Sequence, residues 1–317
     1  MTFVRPVAAV DCSGLQGGSS PRLLVSLATY NEAGNIAALI HEIHHYAPQA
    51  DILVIDDNSP DGTAALVQQL AVHDRRIHLV RRPGKLGLGT AILTAMRYAM
   101  ERQYDLLLNL DADFSHPPRY IPGLLAGMSR YDVMIGSRYV RGGGTQNWPW
   151  LRRCISRGVN WLVRFLLRTP ARDASGAFRC YRVRLLQQVP LDQIRSRGYS
   201  FQQEVLFRCH KAGARIGEYP ILFENRRAGA SKVNPWEALR SISMILYLGA
   251  RNWLGWEKRI GALRPPADMD ADRDSRLRST ECGSSETPRP RYGAPAVVAK
   301  SGVSAAERVS VSDGATV

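Results

Sequence analysis

Short apolar runs alternate with longer segments of mixed polarity through the first half of the chain. The apolar runs have the length of β-strands and lie at 23–28, 52–55, 77–80, 106–110 and 132–135. The segments between them that have the length of helices are 34–46, 62–72, 88–102 and 118–128. Strands that alternate with helices predict an α/β fold, in which helices flank a mainly parallel, Rossmann-like sheet.

The second half of the chain continues with further helices and strands. We expect helices at 151–168, 201–212 and 235–253, a strand that turns into a helix in GAFRCYRVRLL, and a strand in RIGEYPILF. The segment GGGTQNWPW, which precedes the first of these helices, is predicted to be a flexible connection.

These elements predict one folded domain at 22–254. A flexible extension is expected before it, at 1–21, and a disordered tail after it, at 255–317. The tail is rich in Ser, Pro, Gly and Ala and has no periodicity, a composition that cannot bury enough apolar surface to fold.

The net charge of +14 is concentrated in the middle of the chain. The segment 138–197 contains 13 arginines, no lysine and only two acidic residues. Such a segment indicates an anionic partner, which can be a nucleic acid, a phosphorylated substrate or an anionic membrane surface.

Cysteine usage and hydropathy bear on the compartment. The five cysteines show no Cys-x-x-Cys or Cys/His spacing, so we expect neither a disulfide framework nor a zinc site, and a reducing cytosol is favoured. No apolar stretch reaches the roughly 18 residues of a membrane-spanning helix. The apolar patch near the N-terminus is too short for a signal peptide.

Polar motifs follow four of the predicted strands. TYNE follows the first strand, DDNSPDG the second, DAD the fourth and GSRY the fifth. Ligands of open parallel sheets bind at the carboxyl ends of the strands, so these motifs predict a ligand site at that edge.

The DAD motif places Asp111 and Asp113 one residue apart at the end of a buried strand. Alternate residues of an extended chain face the same way, so the two carboxylates repel each other unless a cation lies between them. Oxygen ligands suit Mg²⁺ or Mn²⁺. The alternative is an acidic turn that caps the following helix.

The ends of the first two strands suggest nucleotide contacts. Asp57 is placed to accept hydrogen bonds from a base or ribose, while Tyr30 would lie against a base and Glu32 accept from it. The alternative for Glu32 is a helix cap, as it is for Asn31. Turn formation and helix capping are favoured for three further residues: Asp56, Asp61 and Thr63.

The glycine-rich segment RRPGKLGLGTA lacks the Lys-Ser/Thr pair of a P-loop and the spacing of a dinucleotide fingerprint. We favour a close-packed lead-in to the third helix beside a nucleotide over a phosphate cradle. No arrangement for nucleophilic catalysis can be inferred from the scattered serines and histidines.

The helix LRRCISRGVNWLVRFLLR combines a basic stripe with apolar residues. The stripe consists of Arg153, Arg157, Arg164 and Arg168. Such a helix can lie in a membrane interface, and the alternative is an ordinary core helix with a basic solvent face.

Arg152 and Ser156 are one helical turn apart beside the basic stripe, and with Arg138 they could form a pocket for one phosphate. Arg226 and Lys232 lie in the loop NRRAGASKVN, which could be a lid whose cations close over phosphates. The alternative for that loop is a solvated basic loop.

From about Leu23 to Trp253 the chain resembles the polyprenyl-phosphate mannose synthases, or dolichyl-phosphate β-mannosyltransferases. The resemblance rests on the motifs above together with SRGVNWL, D-x-SGAFRCYR, GYSFQQEVLFR and the Arg-x₅-Lys pair of NRRAGASKVN. It implies a GT-A fold, membership of the inverting family-two glycosyltransferases, and transfer of mannose from GDP-mannose to a polyprenyl monophosphate.

The resemblance also implies roles for individual residues. The guanosine would contact Ala28, Tyr30, Glu32, Ile55 and Asp57. The metal, Mg²⁺ or Mn²⁺, would be ligated by Asp111 and Asp113, beside the backbone of Ala112. The donor's phosphates and sugar would contact Arg138, Arg226 and Lys232. The acceptor phosphate would contact Arg138, Arg152 and Ser156. Asp113 and Arg138 are the expected catalytic residues.

Two departures from the family pattern concern the same site. Relatives usually have proline at the position of Ala28, and some have glutamine at the position of Ser115. The family implies a peripheral protein on the cytoplasmic face of a membrane, with no nucleic-acid partner.

Rival interpretations share parts of this pattern. A polyprenyl-phosphate glucosyltransferase that uses UDP-glucose would differ only in its base and sugar contacts. A nucleic-acid-binding module would explain the charge, but acidic residues at three strand ends repel phosphate backbones unless metal is bound. A non-catalytic scaffold at the membrane surface is the third alternative.

Overall fold

A seven-stranded sheet forms the centre of the protein. The computed structural model describes residues 20–196, 198–224 and 235–256. The strands of this sheet are β1 (Leu23–Thr29), β2 (Asp51–Asp56), β3 (Ile77–Arg81), β4 (Leu106–Asp111), β5 (Val133–Ser137), β7 (Arg179–Arg182) and β8 (Ile216–Pro220). Two short strands, β6 (Gly144–Thr145) and β9 (Leu222–Phe223), pair with each other in a second sheet.

Helices connect the strands. They are α1 (Ala33–Tyr46), α2 (Thr63–His73), α3 (Leu88–Glu101), α4 (Ile121–Gly127), α5 (Trp150–Leu167), α6 (Val183–Leu186), α7 (Phe201–Lys211) and α8 (Pro235–Trp253). Single 3₁₀ turns lie at Pro118–Tyr120, Leu191–Gln193 and Gly198–Ser200.

The strand order is β3-β2-β1-β4-β7-β5-β8. All neighbouring pairs are parallel except those of β7, which runs antiparallel to both β4 and β5. The prediction of a mainly parallel sheet flanked by helices is confirmed. Because β7 enters between β4 and β5, it brings the segment before it to the edge of the sheet where β4 and β5 end.

Apolar cores lie on both faces of the sheet. On one face α3, α5, α7 and α8 cover strand residues such as Leu24 and Leu107. On the other, α1, α2 and α4 cover residues such as Val25 and Leu108. Burial on both faces explains why the central strands read as continuous apolar runs, since neither face of a doubly covered sheet meets water.

Two segments differ from the sequence-based expectation. RIGEYPILF forms two strands because the pairing of β8 with β5 ends at Pro220, and the chain then crosses to pair as β9 with β6. The segment GGGTQNWPW, expected to be only a connection, therefore contains the two-residue strand β6. The expected helix at 118–128 is a 3₁₀ turn followed by the shorter α4.

Among the described residues the first element begins at Leu23 and the last ends at Trp253, and the domain boundaries at 22 and 254 stay a prediction. The extension and the tail lie almost entirely outside the described residues, so their disorder stays a prediction. Within the described ranges, no helix has both the length and the hydropathy needed to cross a bilayer.

Gly143 marks a close approach between two backbone segments next to the end of β5. A Cβ at this position would clash with the carbonyl oxygen of Ser137 and lie 3.1 Å from the carbonyl carbon of Arg138. A Cβ at the adjacent Gly144 would make only an ordinary contact, 3.4 Å from the Leu222 side chain.

We therefore expect Gly143→Ala to lower the free energy of unfolding by about 1–3 kcal/mol, because backbone atoms cannot move aside as a side chain can. Gly144→Ala is the matched control and should change it by less than about 1 kcal/mol. Urea unfolding of both variants measures the difference. Equal stability of the two variants would contradict the close approach.

Candidate active site

The acidic pair lies at the end of β4, in a tight turn. The side chain of Asp111 is 29% exposed, whereas Asp113 is buried and accepts a hydrogen bond from the N–H of Ser115 at 3.0 Å. Phe114, which directly follows Asp113, has a φ of 63°, which is unusual for a residue with a bulky side chain. The turn holds one carboxylate at the surface and the other just beneath it.

His116 lies directly behind this turn. Burial lowers its pKa and outweighs the opposing effect of the Asp111 carboxylate, so the imidazole is neutral at pH 7. Its Nδ1 accepts the N–H of Asp111 at 3.4 Å. The histidine thereby supports the backbone of the acidic turn from the core side.

Three of the predicted donor-binding residues line one cavity. Ala28 is paired with Ile55 on one side and with Asp111 on the other, because β1 lies between β2 and β4. All three line a cavity that is also lined by Leu88, at the start of α3. The cavity places the glycine-rich lead-in to α3 beside the predicted donor site, as the favoured interpretation of that segment requires.

Asn109 lies at the floor of this cavity and was not singled out in the sequence. Its side-chain oxygen accepts the hydroxyl hydrogen of Ser26, and its Nδ2 is buried with no hydrogen-bond partner in the described structure. Its signal in the sequence is an amide in an otherwise apolar strand.

Asp57 is buried and anchors the glycine-rich loop. Its carboxylate pairs with the guanidinium of Arg82 and accepts the N–H groups of Leu86 and Gly87, each at 3.1 Å. The sequence did not indicate this role, because it depends on the approach of a loop about 30 residues downstream. A contact of Asp57 with a base stays a prediction.

Tyr30 and Glu32 lie at the start of α1. Tyr30 is 39% exposed, and the ammonium of Lys85 lies 4.3 Å from its ring centroid. The residue that precedes α1 is Glu32; its side chain makes no capping hydrogen bond to the helix backbone, and it accepts a hydrogen bond from the Asn35 amide at 2.8 Å. Their contacts with a nucleotide remain predictions.

Of the three residues assigned to turns and caps, Asp56 and Asp61 form the expected turns, whereas no side chain caps α2 and the Thr63 hydroxyl oxygen accepts the N–H of Glu32. Asp56 accepts the N–H of Ser59 at 2.9 Å, and Asp61 accepts the N–H groups of Ala33 and Thr63, each at 3.0 Å. Asp61 thus ties the start of α1 to the start of α2.

Arg138 is buried just beyond β5 and forms a bidentate ion pair with Asp173. Its Nε and Nη2 donate to the two carboxylate oxygens at 2.7 and 2.6 Å, and its backbone N–H donates to the same carboxylate at 3.0 Å. Burial opposes ionisation of both groups, but their mutual attraction is stronger. It lowers the pKa of Asp173 and raises that of Arg138.

A hydrogen-bond network extends from this ion pair to α5. Nη2 of Arg138 also donates to Ser175 at 2.9 Å, and the amide of Asn160 bonds both to Ser175 and to the carbonyl oxygen of Ser156. The hydroxyl of Tyr139 donates to the Ser156 hydroxyl oxygen at 2.6 Å. The network fixes Ser156 relative to Arg138.

The structure therefore gathers the three residues predicted to bind the acceptor phosphate. The indole ring of Trp148 lies between the two arginines, 5.6 Å from the guanidinium carbon of Arg138 and 3.9 Å from that of Arg152. The three predicted residues thus lie close together, and the ligand that they bind stays a prediction. Asp173 and Asn160, the residues that organise the group, stand in the motifs D-x-SGAF and SRGVN, but the sequence alone assigned them no role.

Two predicted donor-binding residues, Arg226 and Lys232, lie outside the described residues.

The predicted metal ligands are the carboxylates of Asp111 and Asp113. Within the described ranges no group of three or more His, Cys, Asp or Glu side chains could hold a metal ion. Two carboxylates in one turn fit a hard cation such as Mg²⁺ or Mn²⁺, which commonly keeps water and substrate oxygens as its other ligands.

An open α/β sheet with an acidic pair at its carboxyl edge is typical of enzymes that use sugar nucleotides. The model of the family described as glycosyl transferase family 2 matches residues 25–190, which is more than half of the chain. The chain belongs to glycosyl transferase family 2 and is a glycosyltransferase.

Two curated relatives have names that specify the sugar and the class of acceptor. A polyprenol monophosphomannose synthase of Mycolicibacterium smegmatis is 41% identical over 215 residues, which cover 67% of this chain and 81% of the relative. An undecaprenyl-phosphate mannosyltransferase of Micrococcus luteus is 37% identical over 241 residues, which cover 76% of this chain and 99% of the relative. These names confirm the resemblance drawn from the motifs.

A solved structure shares the fold at low sequence identity. Glucosyl-3-phosphoglycerate synthase from Mycobacterium tuberculosis, determined with Mn²⁺, UDP and glucosyl-3-phosphoglycerate, is 16% identical with a TM-score of 0.52. The match covers 78% of this chain and 87% of that one. It confirms the predicted GT-A-like fold.

Asp173→Asn should lower the free energy of unfolding by about 3–5 kcal/mol near pH 7, because it leaves the Arg138 charge buried without its partner. A depressed folded-state pKa stabilises the fold above the unfolded pKa, and this contribution is lost as the pH falls below about 4. The decline in acid should therefore be shallower in the variant. Urea unfolding between about pH 7 and pH 3 measures both effects.

The control is Asp192→Asn. Asp192 is 89% exposed and pairs with Arg97 at the surface, so its loss should change stability by less than about 1 kcal/mol. Equal effects of the two substitutions would show that the buried pair does not stabilise the fold more than a surface pair.

Proposed function

We propose that this protein transfers mannose from GDP-mannose to a polyprenyl monophosphate, with inversion at the anomeric carbon, giving polyprenyl-phosphate mannose and GDP. The observation that carries the proposal is the placement of an acidic pair and an arginine–serine cluster at the same edge of the sheet. The names of both curated relatives, a polyprenol monophosphomannose synthase and an undecaprenyl-phosphate mannosyltransferase, support the acceptor and the sugar.

The donor would bind along the carboxyl ends of β2, β1 and β4. Its base would lie near Tyr30, Ile55 and Asp57, and its diphosphate near Asp111 and Asp113. The two carboxylates would hold a divalent cation, Mg²⁺ or Mn²⁺. When bound, the cation would offset the negative charge that develops on the diphosphate leaving group.

The acceptor phosphate would bind beside Trp148. Nη1 of Arg138 makes no hydrogen bond to a described residue, so it would donate to a phosphate oxygen while Asp173 holds the rest of the guanidinium. The Ser156 hydroxyl, oriented by Tyr139, would supply a second donor, and Arg152 a further positive charge.

The reaction would need no general base. A phosphate monoester is already an anion at neutral pH, so one of its oxygens can attack the anomeric carbon as the bond to the diphosphate oxygen breaks. The role of the protein residues would be to bring two anions together and to offset their charge. This agrees with the absence of a recognisable catalytic histidine from the sequence motifs.

A face of α5 and α8, which we call the α5–α8 face, supports contact with a membrane. It consists of Trp161 and Phe165 on α5 and Trp253 on α8, flanked by Arg164 and Arg168, and together these residues line one cleft. The aromatic side chains are 66%, 53% and 51% exposed, and their rings contact one another at centroid distances of 5.7 Å.

Exposed aromatic rings beside arginines match the composition of a surface that lies in the interface of an anionic bilayer. Of the two interpretations of this helix, a basic solvent face on a core helix leaves the exposed apolar side chains without explanation.

Radiolabelled sugar transfer to a short polyprenyl phosphate tests the reaction. We expect transfer from GDP-mannose in the presence of Mn²⁺ or Mg²⁺, and Asp113→Asn should reduce it by about 10²–10³-fold, as loss of one electrostatic group at a transition state typically does. Asp192→Asn, at an exposed position, should leave the rate unchanged.

Transfer from UDP-glucose instead of GDP-mannose would keep the mechanism and overturn the donor assignment. No transfer from either donor by the folded protein would favour the non-catalytic scaffold.

The α5–α8 face is tested by sedimentation with vesicles. We expect binding to vesicles that contain an anionic phospholipid, and the double variant Trp161→Ala/Phe165→Ala should weaken it at least about tenfold, because burial of the two rings supplies much of the binding free energy. Val72→Ser is the control, since Val72 is 77% exposed on α2. Unchanged binding in the aromatic double variant would contradict the assignment.

A further inference from the structure

Lys85 lies in the glycine-rich loop between β3 and α3. Its side chain is exposed, and its ammonium lies 4.3 Å from the ring centroid of Tyr30. It forms no salt bridge with any carboxylate in the described part of the chain. The loop therefore presents a positive charge beside a residue predicted to contact the donor's base.

The backbone on both sides of Lys85 is held in place. On one side, the N–H of Arg82 donates to the carbonyl oxygen of Asp56 at 2.8 Å. On the other, the N–H groups of Leu86 and Gly87 donate to the Asp57 carboxylate. The guanidinium of Arg82 closes the loop by donating to the carbonyl oxygen of Gly87 at 3.1 Å. These hydrogen bonds anchor the backbone around Lys85 to Asp56 and Asp57, at the end of β2.

Two buried arginines at this edge of the sheet have balanced charges, and the exposed Arg81 is held by Asn58, to whose side-chain oxygen it donates at 2.9 Å. Arg82 pairs with Asp57, and Arg138 pairs with Asp173, and both pairs are buried. A sugar nucleotide brings a diphosphate to this edge, where Asp111 and Asp113 add further negative charge. Balanced ion pairs contribute little net positive potential, whereas the ammonium of Lys85 contributes a full charge.

Lysine suits a contact that forms only when the ligand arrives. Its ammonium is a compact charge on a flexible stem, which can leave one partner for another without movement of the backbone. A cation–π contact at an exposed site is weaker than a charge-assisted hydrogen bond to a phosphate oxygen. A bound phosphate within reach would therefore draw the ammonium away from Tyr30.

We propose that Lys85 is a donor-binding residue whose ammonium pairs with the phosphate nearest the nucleoside and, in moving there, uncovers the Tyr30 ring for the base. The proposal rests on the proposed function, because it assumes that a guanine nucleotide binds at this edge. It adds to the site a residue from a loop that the sequence analysis placed near the nucleotide without a role of its own.

Calorimetric titration of the full chain with guanosine, GMP and GDP tests the assignment. Lys85→Ala should weaken the binding of GMP and GDP by about tenfold, which corresponds to about 1.4 kcal/mol. It should not weaken the binding of guanosine, which has no phosphate, and should raise that affinity by up to about fivefold because loss of the ammonium uncovers the Tyr30 ring. Lys85→Arg should keep most of the affinity, since it keeps the charge.

Lys211→Ala is the matched control. Lys211 also lies over an aromatic ring, 5.6 Å from the centroid of Phe207, but at the end of α7 near the opposite edge of the sheet. Its removal should leave all three affinities unchanged.

Four results would overturn the assignment. Unchanged GMP and GDP affinity in Lys85→Ala would exclude the contact, and an equal loss for guanosine would show that Lys85 contacts the nucleoside. Failure of the wild-type protein to bind any of the three ligands would overturn the proposed function together with the inference. Mannosyl transfer by the wild type with no effect of Lys85→Ala would overturn the inference alone.

Discussion

The buried ion pair between Arg138 and Asp173 is the interaction on which the proposed acceptor half of the site depends. Each group alone would be costly to bury, and each is held ionised by the other. The pair joins the end of β5 to the segment that precedes β7, and through Ser175 and Asn160 it reaches α5. A helix with an exposed aromatic face is thus fixed relative to a buried arginine.

The donor half depends on a different constraint, the register of parallel strands. Ala28, Ile55 and Asp111 are far apart in the sequence, and the hydrogen-bonded ladders of β2, β1 and β4 place them side by side. Asp57 holds the glycine-rich loop at the same edge by accepting hydrogen bonds from its backbone N–H groups. The two halves meet where β7 separates β4 from β5, so the antiparallel strand sets the spacing between the acidic pair and the arginine cluster.

The location of these features suits a reaction between a soluble donor and a lipid acceptor. The cleft of the α5–α8 face and the network residue Ser156 lie on the same helix, α5. A lipid whose chain stays in the membrane interface could present its phosphate to the arginine cluster while the nucleotide enters from solution. The same helix would then serve both membrane contact and acceptor recognition.

The sequence by itself determined the class of fold, the strand ends that carry chemistry and the acidic pair, because these follow from local hydrophobic periodicity and from residues adjacent along the chain. It also indicated Arg138, Arg152 and Ser156 as a pocket for one phosphate, and the family resemblance added that this would be the phosphate of the acceptor. The turn roles of Asp56 and Asp61 were likewise predictable, because each accepts an N–H two or three residues further along the chain.

Only the tertiary structure decided which charges are already paired. Asp173 forms an ion pair with Arg138, 35 residues away in the sequence, and Arg82 forms one with Asp57, 25 residues away. No local pattern encodes such partners, because they are set by strand order and by loops that fold back over the sheet. For the same reason the sequence did not predict the pairing of β6 with β9 or the contact between Lys85 and Tyr30, because in each case the two partners are distant along the chain.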